Sequence, residues 1–215
     1  MSSDNYVRCL LETQAMQCLA LDFETNGLRA DSKQPLPCAN YPVSVALWAV
    51  CEDLSVKHLF SSHTSGATSF NSWATGHPAF TPQDLNGEPE FKEVLDCLAA
   101  TAATDDVLVC HNAGYDIGKV LAPMCRMQGL DGATLLDLPR VCTCKGAWVS
   151  TVLDGKWLHL TELCKCVDVP FTVTHMASIG AKALAPCIAA ALKYPERGLA
   201  KELMKAAERG RAQRG

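Results

Sequence analysis

Asp22 and Glu24 flank Phe23 at the end of a short apolar run, residues 17–23 (QCLALDF). In an extended strand, residues two apart point to the same face. Two carboxylates on one face beside a buried strand are costly unless a cation or solvent compensates them. A divalent metal is one compensation, and hard oxygen ligands favour Mg²⁺ or Mn²⁺ over zinc. For an isolated Asp-x-Glu the plain alternative, acids at a strand end meeting water, would hold. A second apolar run, 107–110 (VLVC), leads into His111-Asn112-Ala113-Gly114-Tyr115-Asp116, which places another carboxylate just past a strand and at the start of a helix. Crevices at strand ends are where such sheets bind ligands. His175 precedes the last apolar helix. Taken alone it reads first as a surface histidine before a helix. Two Cys-x-Cys pairs, Cys142/Cys144 and Cys164/Cys166, offer four thiols for zinc, but the spacing is not the usual Cys-x2-Cys.

The elements that must position these residues follow from hydrophobic spacing. Residues 17–23, 43–50 and 56–61 read as three strands joined by short polar connections, an antiparallel meander with Asp53 in a turn. The stretch 61–89 is rich in Ser, Thr, Gly, Pro and Asn, a long loop of the kind that often carries function. Phe91, Val94, Leu95 and Leu98 fall on one helical face. A strand at 107–110, a helical stripe Ile117, Val120, Leu121 and Met124, and a further strand at 133–138 (ATLLDL) follow. Leu158–Val167 and Met176–Leu192 read as helices, with Pro186 expected to kink or split the second. A meander followed by βαβ crossovers gives an α/β mixed sheet, antiparallel in its first three strands and then parallel, with helices packed on it.

At 215 residues, 48% apolar and 20% charged, the chain is globular and about one and a half domain lengths long. No apolar run is long enough for a membrane helix, and MSSDNYVRCLLETQ lacks the features of a secretory signal. The expectation is an intracellular protein, cytoplasmic or nuclear, with its 12 cysteines reduced and mostly buried. The net charge of −4 argues against a non-specific basic coat for nucleic acid. From Lys193 onward seven bases face three acids, a net of +4, which leaves −8 on the rest. The expected organisation is a domain over 1–192 and a basic helix or tail over 193–215. That tail reads as a solvated helix or as a hold on a phosphate backbone.

LDFETNGL (21–28), VLVCHNAGYD (107–116) and THMASIGAKA (174–183) resemble the three motifs of the DEDDh exonucleases. This branch of the ribonuclease H-like superfamily includes ribonuclease T and the proofreading subunit of bacterial replicative polymerases. The resemblance covers residues 17–192. It implies a ribonuclease H-like fold and a 3′–5′ exonuclease that hydrolyses phosphodiesters at single-stranded DNA or RNA ends with two Mg²⁺ or Mn²⁺ ions. It implies Asp22, Glu24 and Asp116 as metal ligands and His175 as the base. The turn Asn26-Gly27-Leu28 resembles the one that contacts the terminal nucleotide. Asn112 caps the next helix or touches substrate. Trp73, His77 and Phe80, in the long loop, stack on a base or simply pack. A homodimer or a polymerase-type partner is left open.

One position departs from the pattern. The family carries an aspartate five residues after the histidine, and this chain has Gly180 there. Three accounts compete: a degenerate enzyme that retains binding to nucleic-acid ends or to a partner protein, an inactivated variant, or a site completed by water or another side chain. Impaired activity is the expectation, with Gly180→Asp raising the rate.

Overall fold

The computed structural model describes residues 17–27, 41–67, 70, 80–103, 106–145, 157–172, 176–194 and 198–213. Five strands form one sheet in the order β3-β2-β1-β4-β5: β1 (Cys18–Thr25), β2 (Pro42–Val50), β3 (Val56–His63), β4 (Val107–Cys110) and β5 (Arg140–Cys142). The first three are antiparallel, whereas β4 and β5 run parallel to β1. This is the mixed α/β sheet expected from the meander and its crossovers.

Helices cover both faces. On one face lie α1 (Phe91–Thr101) and α2, which comprises Ala113–Tyr115, a π-wound segment Asp116–Leu121, and Ala122–Gln128. Leu19, Leu21 and Phe23 of β1 pack there with Leu95, Leu98, Ile117 and Leu121. On the other face lie α4 (Leu160–Cys166), α5 (Ala177–Leu192) and α6 (Gly198–Ala212). Cys18 and Ala20 pack there with Leu163, Leu184, Ile188 and Leu203. The alternation of β1 thus assigns Asp22 and Glu24 to the α5 face. Helix α6 buries Leu199, Leu203 and Ala206 in that core and leaves its basic side outward.

Two expectations change. Residues 133–138 do not form a strand: Ala133–Leu136 is a short helix, α3, and the fifth strand is Arg140–Cys142. Asp131 accepts the Ala133 N–H (2.9 Å) and starts the helical turn, a local bond that a short apolar run does not advertise. Pro186 does not split α5, which runs unbroken over 16 residues. Its neighbours Ala185, Cys187 and Ile188 are fully buried, and packing of that kind offsets the one backbone bond a proline forgoes. Among the described residues no helix is long and apolar enough to cross a membrane.

Candidate functional site

The parallel arrangement brings the ends of β1 and β4 side by side. Leu21 pairs with Cys110, so Asp22 and Glu24 continue β1 beside the point where β4 gives way to His111 and Asn112. The Asn112 carbonyl accepts the N–H groups of Tyr115 (2.7 Å) and Asp116 (3.0 Å), and this turn opens α2. The π-wound segment begins at Asp116; such insertions frequently mark functional sites. Asp116 is buried and takes the Phe23 N–H at 3.4 Å, which ties it to the middle of the Asp-Phe-Glu run.

Asp22, Glu24 and Asp116 line one cavity of about 300 Å³ with His111, Asn112, Tyr115 and Gly180. Its far wall comes from His159, Leu160, Thr161 and Phe171. No lysine or arginine is among the described residues of its lining. The electrostatics follow. Burial pushes Asp116 up to about 8, against hydrogen bonds from Phe23 and Asn112, and the Glu24 charge raises it further. Burial raises Asp22 well above the usual carboxylate range, and the charges of Asp116 and Glu24 raise it further. Burial takes Glu24 to about 7. His111 goes the other way, down to about 4 through burial, and stays a neutral ring hydrogen-bonded through Nδ1 to Thr143 (2.9 Å). Among the described residues, no three His, Cys, Asp or Glu side chains converge tightly enough to form a ready metal cluster.

Gly180 lies directly against Asp22. A Cβ built on Gly180 would meet the Asp22 Cγ at 3.0 Å and its Oδ2 closer still. Any other residue here must displace that carboxylate, so glycine in the first turns of a 16-residue helix has a steric reason beyond helix propensity.

The remaining expected site residues divide. Asn112 occupies the position before α2 but makes no side-chain cap bond there, and it faces the cavity. Asn26 is buried, with Oδ1 taking the Tyr41 N–H (2.8 Å) and its own N–H given to the Tyr41 carbonyl (2.9 Å), so it braces the turn with Gly27. Thr25 adds a bond to the Gly27 carbonyl (3.1 Å) and one to the Tyr115 hydroxyl (2.6 Å). Phe80 lies edge-on to His63 (4.5 Å) in a separate hollow beside Ser44 and Glu88. Leu28, Trp73, His77 and His175 lie outside the described residues. Sequence reasoning missed His159, Thr161 and Phe171. They come from a connection and the start of a short helix, and no periodicity distinguishes them.

Residues 19–178 match the exonuclease family model of the ribonuclease T type. No curated protein matches the chain. Solved structures are similar in fold. A 3′-exonuclease that recognises a histone mRNA stem-loop superposes with a TM-score of 0.64 at 12% identity, covering 83% of this chain and 82% of its own. Exonuclease X, in complex with 5′-overhanging duplex DNA, gives 0.60 at 15% identity over 89% and 99%. Pop2p of S. pombe, in a form bound to Mg²⁺ and Mn²⁺, gives 0.56 at 11% identity over 90% and 89%.

Proposed function

This chain belongs to the ribonuclease T-type exonuclease family, and from that premise we propose that it is a metal-dependent 3′–5′ exonuclease acting on single-stranded DNA or RNA ends. The observation that carries the reading is a cavity holding three carboxylates with raised pKa values and no lysine or arginine in its described lining. A divalent cation would let these buried carboxyls ionise together and would draw a phosphodiester in with it. The donor type fits, since hard carboxylate oxygens suit Mg²⁺ or Mn²⁺, and the three side chains would close on the ions from positions that do not yet converge. The Mg²⁺- and Mn²⁺-bound form of Pop2p supports the same choice. When bound, two such ions supply Lewis-acid activation of the scissile phosphate.

In this reading Asp22, Glu24 and Asp116 would hold the ions, and His175 would take the proton of the attacking water. Phe171 and Leu160 supply an apolar wall against which a terminal base or sugar can rest, and they exclude water from one side of the reacting phosphate. Gly180 offers no oxygen, so Asp22 and Glu24 bear the ligand role on that side alone. That observation also favours a second reading, a protein that binds ends without cutting them.

The test uses 5′-labelled single strands of DNA and RNA with Mg²⁺, with Mn²⁺ and with EDTA. Stepwise shortening from the 3′ end that needs a divalent cation supports the enzyme. Binding of ends with no shortening in either metal supports the second reading, and loss of label as the first product would overturn the polarity.

A further inference from the structure

Cys142 ends β5, in register with Cys110 of β4, which pairs in turn with Leu21 beside Asp22. It therefore sits one strand away from the carboxylate cavity. Its Sγ lies 3.6 Å from the Sγ of Cys144. The residues between and around the two thiols hold the segment that enters the cavity. Thr143 donates its N–H to the Cys110 carbonyl (3.0 Å), and its Oγ1 meets His111 Nδ1 at 2.9 Å. Cys144 donates its N–H to the His111 carbonyl (2.9 Å).

We propose that Cys142 and Cys144 are a redox-active dithiol that closes to an intrachain disulfide and, in closing, moves the segment holding His111. The two sulfurs must approach from 3.6 Å to a bonding distance of about 2.05 Å. That movement twists the single residue between them, Thr143, whose Oγ1 holds the His111 ring and whose N–H holds the preceding Cys110 carbonyl. The pair is electrically asymmetric. A hydrogen bond from the Cys144 thiol, with backbone hydrogen bonds from Ala113, Cys144 and Lys145, takes Cys142 down to about 6 against its burial. The same bond, with burial and the Cys142 charge, pushes Cys144 up. Cys142 is also the partly exposed member of the pair and Cys144 the buried one, so Cys142 is the attacking sulfur and Cys144 the resolving one.

With glutathione disulfide as oxidant the electrons balance. The Cys142 thiolate attacks one reagent sulfur, the reagent S–S bond breaks, and one glutathione thiolate leaves. Cys144 then gives its proton to solvent, attacks the Cys142 Sγ and expels the second glutathione. The protein loses two electrons and two protons, and the reagent becomes two thiols.

Cys164 and Cys187 supply a control inside the same molecule. Their sulfurs also stand 3.6 Å apart, but both thiols are buried and raised by burial, so this pair has no partly exposed member corresponding to Cys142. The Cys187 thiol is directed at the Ala183 carbonyl (3.2 Å).

The experiment treats the folded protein with glutathione disulfide at pH 7 and maps the products by mass. The Cys142–Cys144 peptide should lose two hydrogens about tenfold faster than the exposed Cys97 and Cys166 acquire glutathione, and dithiothreitol should reverse it. C144S should stop at a mixed disulfide on Cys142. Imidazole NMR of the wild-type protein should show His111 resonances shifting on oxidation and returning on reduction; neither readout needs nuclease activity. Reaction confined to Cys97 and Cys166, or a Cys142–Cys144 disulfide that leaves His111 unmoved, would overturn the proposal.

Discussion

Along most of its length the sheet is flanked by apolar layers, but at the ends of β1 and β4 it is flanked by carboxylates. Leu98 of α1 and Leu21 of β1 are fully buried among other hydrocarbon side chains, and their burial stabilises the fold. Asp116 is nearly as buried, and its burial opposes the fold because a charged carboxylate loses its water. The two regions are adjoining parts of the same strands, since β1 passes from Leu21 to Asp22 in one step. Strain at an active site is expected to be carried by packing elsewhere. If so, substitutions in the two regions should change stability and activity in opposite senses.

Removing a carboxylate is the strongest test. Asp22→Asn and Asp116→Asn should each lower the rate of strand shortening about 10⁴-fold, roughly 5.5 kcal/mol of transition-state stabilisation. Measured without metal at pH 8, the same proteins should melt higher than wild type. A variant that loses activity and melts lower would break the contrast.

Gly180 comes next, because it belongs to both regions. Gly180→Asp adds an oxygen to the site and also pushes the Asp22 carboxylate off the helix. Gly180→Ala pushes it without adding an oxygen. Rates measured side by side should rise for Gly180→Asp by about two to four orders of magnitude, or roughly 3–5 kcal/mol, and fall for Gly180→Ala. Equal losses in both would show that the room for Asp22 outweighs the missing ligand.

The apolar side gives the complementary result. Leu98→Ala should cost about 2–5 kcal/mol of stability through the cavity it leaves. Its kcat in the folded protein should stay within about twofold, since Leu98 lies in the apolar cluster on the side of the sheet away from α5. Denaturant titration and a rate measurement at 20 °C check both halves.

How much of this is legible in the sequence depends on how local the cause is. The Asp22/Glu24 pair can be read because a period of two places both on one face whatever surrounds them. β4 can be read as a short continuous apolar run, and the start of α2 because His111-Asn112 ends that run. The segment 133–138 misleads because six apolar and polar residues fit either period, and the side chain that settles the matter, Asp131, lies outside the run. The cavity wall at His159, Thr161 and Phe171 depends on α4 docking beside α5, a tertiary event with no local trace. The contact of Gly180 with Asp22 spans 158 residues of sequence. The sequence marks Gly180 as a missing oxygen and cannot show it as occupied space.

The last comparison uses pH, and it acts on both regions at once. An unfolded Asp and Glu titrate at 3.8 and 4.5, whereas Asp116 and Glu24 in the folded chain titrate at about 8 and about 7. Between those limits the folded state binds more protons than the unfolded state. The slope of unfolding free energy against pH is then negative. Stability without metal is therefore greatest, as far as these groups are concerned, below about pH 4, and it falls as pH rises through the folded values. A carboxyl that titrates one pH unit higher in the folded chain than in the unfolded one contributes about 1.4 kcal/mol to this loss, and structural relaxation reduces it. A loss of about 2 kcal/mol between pH 5 and pH 8 is expected for wild type relative to Asp116→Asn. Referring wild type to that variant cancels the contributions of Asp53 and Asp84, whose hydrogen bonds to Ser55 and Thr81 lower them and act in the opposite sense. Mg²⁺ or Mn²⁺ should reverse the loss, because a cation that binds only the folded, ionised site pulls the equilibrium toward it. If the wild-type and Asp116→Asn curves run parallel from pH 5 to pH 8, the carboxylate is not held against its charge, and the supposed contrast between the two ends of β1 disappears.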